Sequence, residues 1–121
     1  MTKTESTWKK EAQKQWNKTP CGETSGDKDT LDYFLSVEHH RYDEYAPWMK
    51  PFFQFPQYAG KKVLEIGYGQ GTDLSQFALA GAQCFGVDIT ERHFELAKKN
   101  LHLRGLSADL YVEDGVNVIF S

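Results

Sequence analysis

"VLEIGYGQGTDLSQFALAGAQCFGVDIT", residues 63–90, places glycines at 67, 69 and 71 and ends beside a lone acid, Asp88. Outward from those glycines the pattern is regular. KKVLEI is a short apolar run of strand type, TDLSQFALA has helical spacing with Gly81 just past its end, and AQCFGVDI is again apolar and partly β-branched. Thr90 is placed to cap a second helix, ERHFELAKKNLHLR, in which Phe94, Leu96, Ala97, Leu101 and Leu103 form one broad face. Glu91 suits the first turn of that helix, and Arg104 and Gly105 suit its end. ADLYV then reads as a third strand, followed by EDGVNVIFS. Strands separated by helices of this length imply a parallel sheet with right-handed crossovers.

Upstream of Gly60 the composition changes. Eleven of the seventeen aromatic residues fall in the first sixty positions. Residues 1–59 are therefore expected to form an aromatic-rich helical cap that buries its rings against the sheet region, residues 60–121. Trp8, Ala12 and Trp16 recur every four residues and mark one helical face, read as core and not as a recognition surface. TPCGETSGDKD reads as a loop. Asp29 is expected to cap a helix that runs to about Ala46, where Pro47 stops it, and MKPFFQFPQYAG is expected to form short helical turns.

The bulk properties narrow the function. A chain of 121 residues suits one domain, and its net charge of -3 leaves no basic stripe of the kind that tracks a phosphate backbone. Nucleic acid is not the expected partner. No apolar run approaches the ~20 residues that cross a bilayer, and MTKTESTWKK lacks the apolar core of a secretion signal. The expectation is a soluble, cytoplasmic protein with no membrane partner. Cys21 and Cys84 lie outside any CxxC spacing and are read as free thiols with no metal. His39 and His40, as helical neighbours, point in different directions and do not share a ligand. His93 and His102 are expected on a solvated helix face.

Glycines in a strand-to-helix turn let a ligand approach main-chain amides, and the following helix directs its own unpaired amides at the same place. Asp88, about 20 residues beyond the first glycine, sits where a carboxylate accepts both hydroxyls of a ribose. That points to a nucleoside. Glu65 lies two positions before Gly67, beside the turn, where it repels a pyrophosphate and attracts a cation. The pair fits a nucleoside carrying an ammonium and a sulfonium, and S-adenosylmethionine is such a molecule. A nicotinamide dinucleotide is the lesser alternative, because Thr72 stands where Gly-x-Gly-x-x-Gly needs its last glycine.

VLEIGYGQG resembles the first motif of class I S-adenosylmethionine-dependent methyltransferases, an acid and one residue followed by Gly-x-Gly-x-Gly. GVDIT is similar to their second-strand acidic position, and YVEDGVNVIF to the region after their third strand. WNKTPCG and HHRYDEY resemble the caps of small-molecule members. The resemblance implies an α/β, Rossmann-like parallel sheet of about three strands with helices on both faces, preceded by the helical cap. It implies S-adenosylmethionine as cofactor, S-adenosylhomocysteine as product and a small-molecule methyl acceptor. By the same resemblance Glu65 and the backbone of Gly67 and Gly69 hold the methionine part, with Gly71 completing the turn. Asp88 takes the ribose and Ile89 one face of the adenine, while Asp114 meets the adenine amino group and the Gly115 amide a ring nitrogen. Tyr68 either sets its ring near the sulfonium or is a plain exposed loop residue. The family's fourth to seventh strands have no counterpart here, so Val63, Leu64 and Ile66 are expected to form an open edge that pairs with a second copy or a complementary half. A binding fragment without catalysis is the alternative function.

Overall fold

The computed structural model describes residues 5–18, 23–24 and 26–114. Five α-helices and three strands occur among them: α1 (Glu5–Lys18), α2 (Leu31–His39), α3 (Met49–Phe53), β1 (Lys62–Ile66), α4 (Thr72–Leu79), β2 (Gln83–Asp88), α5 (Glu91–Leu103) and β3 (Asp109–Val112). A π-helical segment, His40–Tyr45, follows α2, and a 3-10 turn, Phe55–Tyr58, follows α3. The strands are parallel in the order β1-β2-β3, with Val63 opposite Cys84 and Val87 opposite Tyr111.

The α/β parallel sheet is as the sequence implies, but both crossover helices lie on one face. The Gly86 α-carbon faces the side chains of Leu74 on α4 and Leu110 on β3, Ala97 of α5 lies against Gly71 beside α4, and His93 on α5 reaches Asp88. The reason is topological. Right-handed crossovers that always step in the same direction deliver every helix to the same side, and helices change face only where the strand order reverses. On the other face Leu64 and Ile66 are 45% and 67% exposed, while Val87, between Ile66 and Tyr111, is buried. β1 is the edge of the described sheet, as expected, although Val63 turns inward to the core.

One core cluster lies between the sheet and α4, and the segment before β1 supplies much of it. Phe55 packs edge-on to Phe77 with ring centroids 4.7 Å apart, and Tyr42, Phe53 and Met49 join the same cluster. A second cluster sets Tyr33, Phe34 and Val37 of α2 against Leu96 of α5. Both exclude large apolar areas from water. The α2 cap is Thr30, whose hydroxyl accepts the Tyr33 amide at 3.3 Å; Asp29, the expected cap, pairs with Lys99 instead. Trp8 is also placed differently from expectation, at 58% exposed. The face of α1 turned to the body carries Lys9 and Gln13, four apart, so Trp8 falls outside it. No described helix is long and apolar enough to cross a membrane.

Candidate cofactor site

The turn after β1 is built for close approach. Gly67 has φ 76, and a side chain there would meet nothing within 4 Å, so the backbone faces open space. Gly71 has φ 80, and a β-carbon would stand 3.2 Å from that of Ala97, so only glycine lets α5 pack this tightly. The turn is braced on three sides. The Gly67 amide donates to the Val87 carbonyl at 2.7 Å, the Asn100 amide donates to the Gln70 carbonyl at 3.0 Å, and the Tyr33 hydroxyl donates to Gln70 Oε1 at 2.8 Å.

Glu65 lies beneath this turn. Its Oε1 is buried and has no hydrogen-bond partner among the described residues. Burial, then the negative charges of Asp73 and Asp88, push its carboxyl up to about 8, against the pull of Arg41. Asp73, in the first turn of α4, is itself held by the Arg41 guanidinium through two bonds of 2.8 and 2.7 Å and by the Tyr42 hydroxyl. The sequence reading passed over Arg41, Tyr42 and Asp73, since nothing local links positions 32 apart.

Asp88 is buried at the end of β2. Its Oδ2 accepts the Gly69 amide at 3.0 Å, its Oδ1 accepts the Thr90 amide at 3.1 Å, and His93 Nδ1 stands 3.1 Å from both oxygens. Burial works to raise its pKa, but the bonds from His93, Gly69 and Thr90 outweigh it and hold the carboxylate below its ordinary value. His93, expected in solvent, is 3% exposed. Thr90 is the N-cap of α5 and His93 the third residue of that helix, a position whose side chain reaches back toward the cap. That spacing was the available signal.

The remaining predicted residues divide. Tyr68 is neither exposed nor turned outward: it is 4% exposed, its ring lies over Gly86, and its hydroxyl donates to the Tyr111 carbonyl at 3.3 Å. Ile89 is partly buried, and its carbonyl accepts from Gln13 at 2.7 Å, while Asp114 pairs with Lys9. α1 thus reaches two of the three residues assigned to the adenine. Gly115 lies outside the described residues. Cys84 is a buried thiol pushed up to about 11 by burial and by Glu65, which leaves it unreactive. Cys21 lies outside the described residues.

A parallel sheet whose first turn is rich in glycine and whose second strand ends on a buried acid defines a nucleoside-cofactor fold. Residues 63–121 match a family model described as a methyltransferase domain. The ubiquinone biosynthesis O-methyltransferase of Actinobacillus pleuropneumoniae serotype 5b is 44% identical over 50 residues, 41% of this chain and 21% of that relative. Its namesake in Azoarcus sp. is 39% identical over 51 residues, 42% of this chain and 22% of that one. The matched stretch therefore spans about a fifth of the length of these curated relatives. Magnesium protoporphyrin IX methyltransferase from Synechocystis PCC 6803, with bound SAH, superposes with a TM-score of 0.58 at 20% identity over 91% of this chain and 53% of that one. The O-methyltransferase TomG of Streptomyces achromogenes, in complex with SAM, gives 0.55 at 18% identity over 87% and 53%. At those identities the likeness is one of fold. From β1 onward, the chain is similar in sequence to a methyltransferase domain, and its described residues share the fold of these two methyltransferases.

Proposed function

We propose that the chain binds S-adenosylmethionine and belongs to an enzyme that moves its methyl group to a small molecule, through an oxygen as in the named relatives. The observation that carries this reading is the orphaned Oε1 of Glu65, a buried carboxyl oxygen beside an open glycine turn. A neighbouring ammonium satisfies such a group in its ionised form, which a phosphate repels. When bound, the cofactor supplies an activated methyl on a sulfonium, already a good leaving group. The protein's task is then to orient and to exclude water. Glu65 meets the ammonium, with Gly67, Gly69 and Gly71 shaping the turn over which the methionine part lies. Asp88 receives the ribose hydroxyls, and Ile89, Asp114 and Gly115 the adenine. Tyr68 acts from below by supporting the turn. The described part of residues 5–59 forms the cap that closes this side. The open edge of β1 pairs with a further strand, from a longer chain or a second copy. Light scattering that finds a monomer at high concentration removes the second copy.

Calorimetry is expected to detect S-adenosylhomocysteine and not NAD. Asp88→Ala should weaken binding by about 1.5–3 kcal/mol for each charged hydrogen bond lost. Equal binding of the two ligands, or an unchanged affinity in the variant, removes the ribose role. Methyl release across a panel of hydroxylated acceptors separates a catalyst from a fragment that only binds.

Glu65 also makes a pH prediction. With its carboxyl near 8, the group is largely protonated at neutral pH, and an ammonium partner favours the ionised form. Binding at neutral pH should therefore release close to one proton, read as a dependence of the observed enthalpy on the buffer's ionisation enthalpy. Without ligand, the folded chain holds this proton over a range where the unfolded chain, with its carboxyl near 4.5, has lost it. Stability consequently falls as pH rises from about 4.5 to about 8. Glu65→Gln should flatten that decline and be more stable than the parent above it. A buffer-independent enthalpy excludes Glu65 as the ammonium's partner.

A further inference from the structure

A carboxylate offers about four acceptor positions in its plane. On Asp88 the Gly69 and Thr90 amides each take one, and His93 Nδ1 stands equidistant from both oxygens, in the fork between them. The Thr90 hydroxyl lies at the limit of reach, 3.5 Å from Oδ1. Two vicinal hydroxyls need both oxygens at once, which is more capacity than these donors leave. The two amides are main-chain groups fixed by the glycine turn and by the first turn of α5. His93 reaches the fork through its side chain, not through a main-chain group.

We propose that His93 holds the fork of Asp88 and yields it to the two hydroxyls of a ribose, so that this exchange sets how strongly the site prefers a ribonucleoside. The inference rests on the cofactor reading above, in which Asp88 receives the ribose. The exchange leaves no buried group unpaired. Each hydroxyl donates its hydrogen to Asp88 and still presents an oxygen, so the Nδ1–H of His93 passes from the carboxylate to a ribose oxygen. His93 is thus a positioning residue that acts through Asp88.

The test uses the intact chain with isotope-labelled histidine, observed by nitrogen NMR during titration with adenosine and with 2′,3′-dideoxyadenosine, which lacks both hydroxyls. The His93 Nδ1 signal is expected to move with adenosine, in step with the binding curve, and to stay in place with the dideoxy compound. His93→Leu keeps the volume and removes the donor. Its preference for adenosine over dideoxyadenosine should widen by roughly five- to ten-fold, because a buried carboxylate deprived of one donor gains more from the diol. Adenosine binding with an unmoved His93 signal overturns the inference and leaves the cofactor reading intact, as does a preference in the variant that is unchanged or narrower. A chain that binds neither adenosine nor S-adenosylhomocysteine overturns the cofactor reading and the inference with it.

Discussion

Asp73→Ala is expected to lower the unfolding free energy by about 2–3 kcal/mol, read as a shift of the urea midpoint. The Asp73 side chain is 9% exposed, and its two oxygens are taken by the guanidinium of Arg41 and the hydroxyl of Tyr42. Removing it leaves a half-buried cation and a buried hydroxyl without an acceptor, and each costs more than the bond itself was worth. Arg41 keeps 31% of its side-chain exposure, so water recovers part of the loss. The same change reaches the cofactor site. Asp73 is the second cause, after burial, of the raised pKa of Glu65, so its loss should bring that carboxyl down from about 8. Proton release on binding S-adenosylhomocysteine at neutral pH should shrink accordingly. An Asp73→Ala chain that keeps the parent's midpoint would show that the cap is held by its apolar contacts alone.

Gly86→Ala is expected to cost about 3 kcal/mol or more, although it adds a single methyl group in a strand. The added carbon would stand 2.6 Å from the ring of Tyr68, 3.2 Å from Leu110 and 3.3 Å from Leu74. Leu74 is fully buried and Tyr68 nearly so, which leaves neither room to give way. Tyr68 sits between Gly67 and Gly69, so a displaced ring drags the turn with it, and affinity for the nucleoside should fall together with stability. The informative control is the double variant. Tyr68→Ala opens a void alone, but combined with Gly86→Ala it should be markedly more stable than the sum of the two losses predicts. Strict additivity would mean that the strand, and not the ring, resists the methyl.

The alternation of elements from Lys62 to Val112 was legible because each depends on local pattern: apolar runs, helical spacing, Thr90 as a cap and Gly81 after α4. The glycine turn and its flanking acids were legible for the same reason. What escaped was set by contacts between distant positions. Arg41 and Asp73 are 32 residues apart, and Tyr68 meets Gly86 across a strand boundary. His93 looked like one more polar residue on a helix of mixed charge, and only its place in the first turn of α5, three residues after the Thr90 cap, hints that it turns back. The placement of both helices on one face was available in principle. The handedness of successive crossovers already implies it when no reversal of strand order intervenes.

The π-helical segment His40–Tyr45 has a consequence for how this protein can drift over generations. Its wider winding, closed by the Ala46 amide on the Arg41 carbonyl at 2.8 Å, lets two successive side chains, Arg41 and Tyr42, grip the same carboxylate. Exchanges of letter at His39, His40, Asp43 or Glu44, which pair with one another in solvent, should pass almost unnoticed. Loss of any single codon there would rewind the stretch by about 100° and carry one of the two gripping side chains away. Natural variation in this stretch should therefore appear in spelling and not in length.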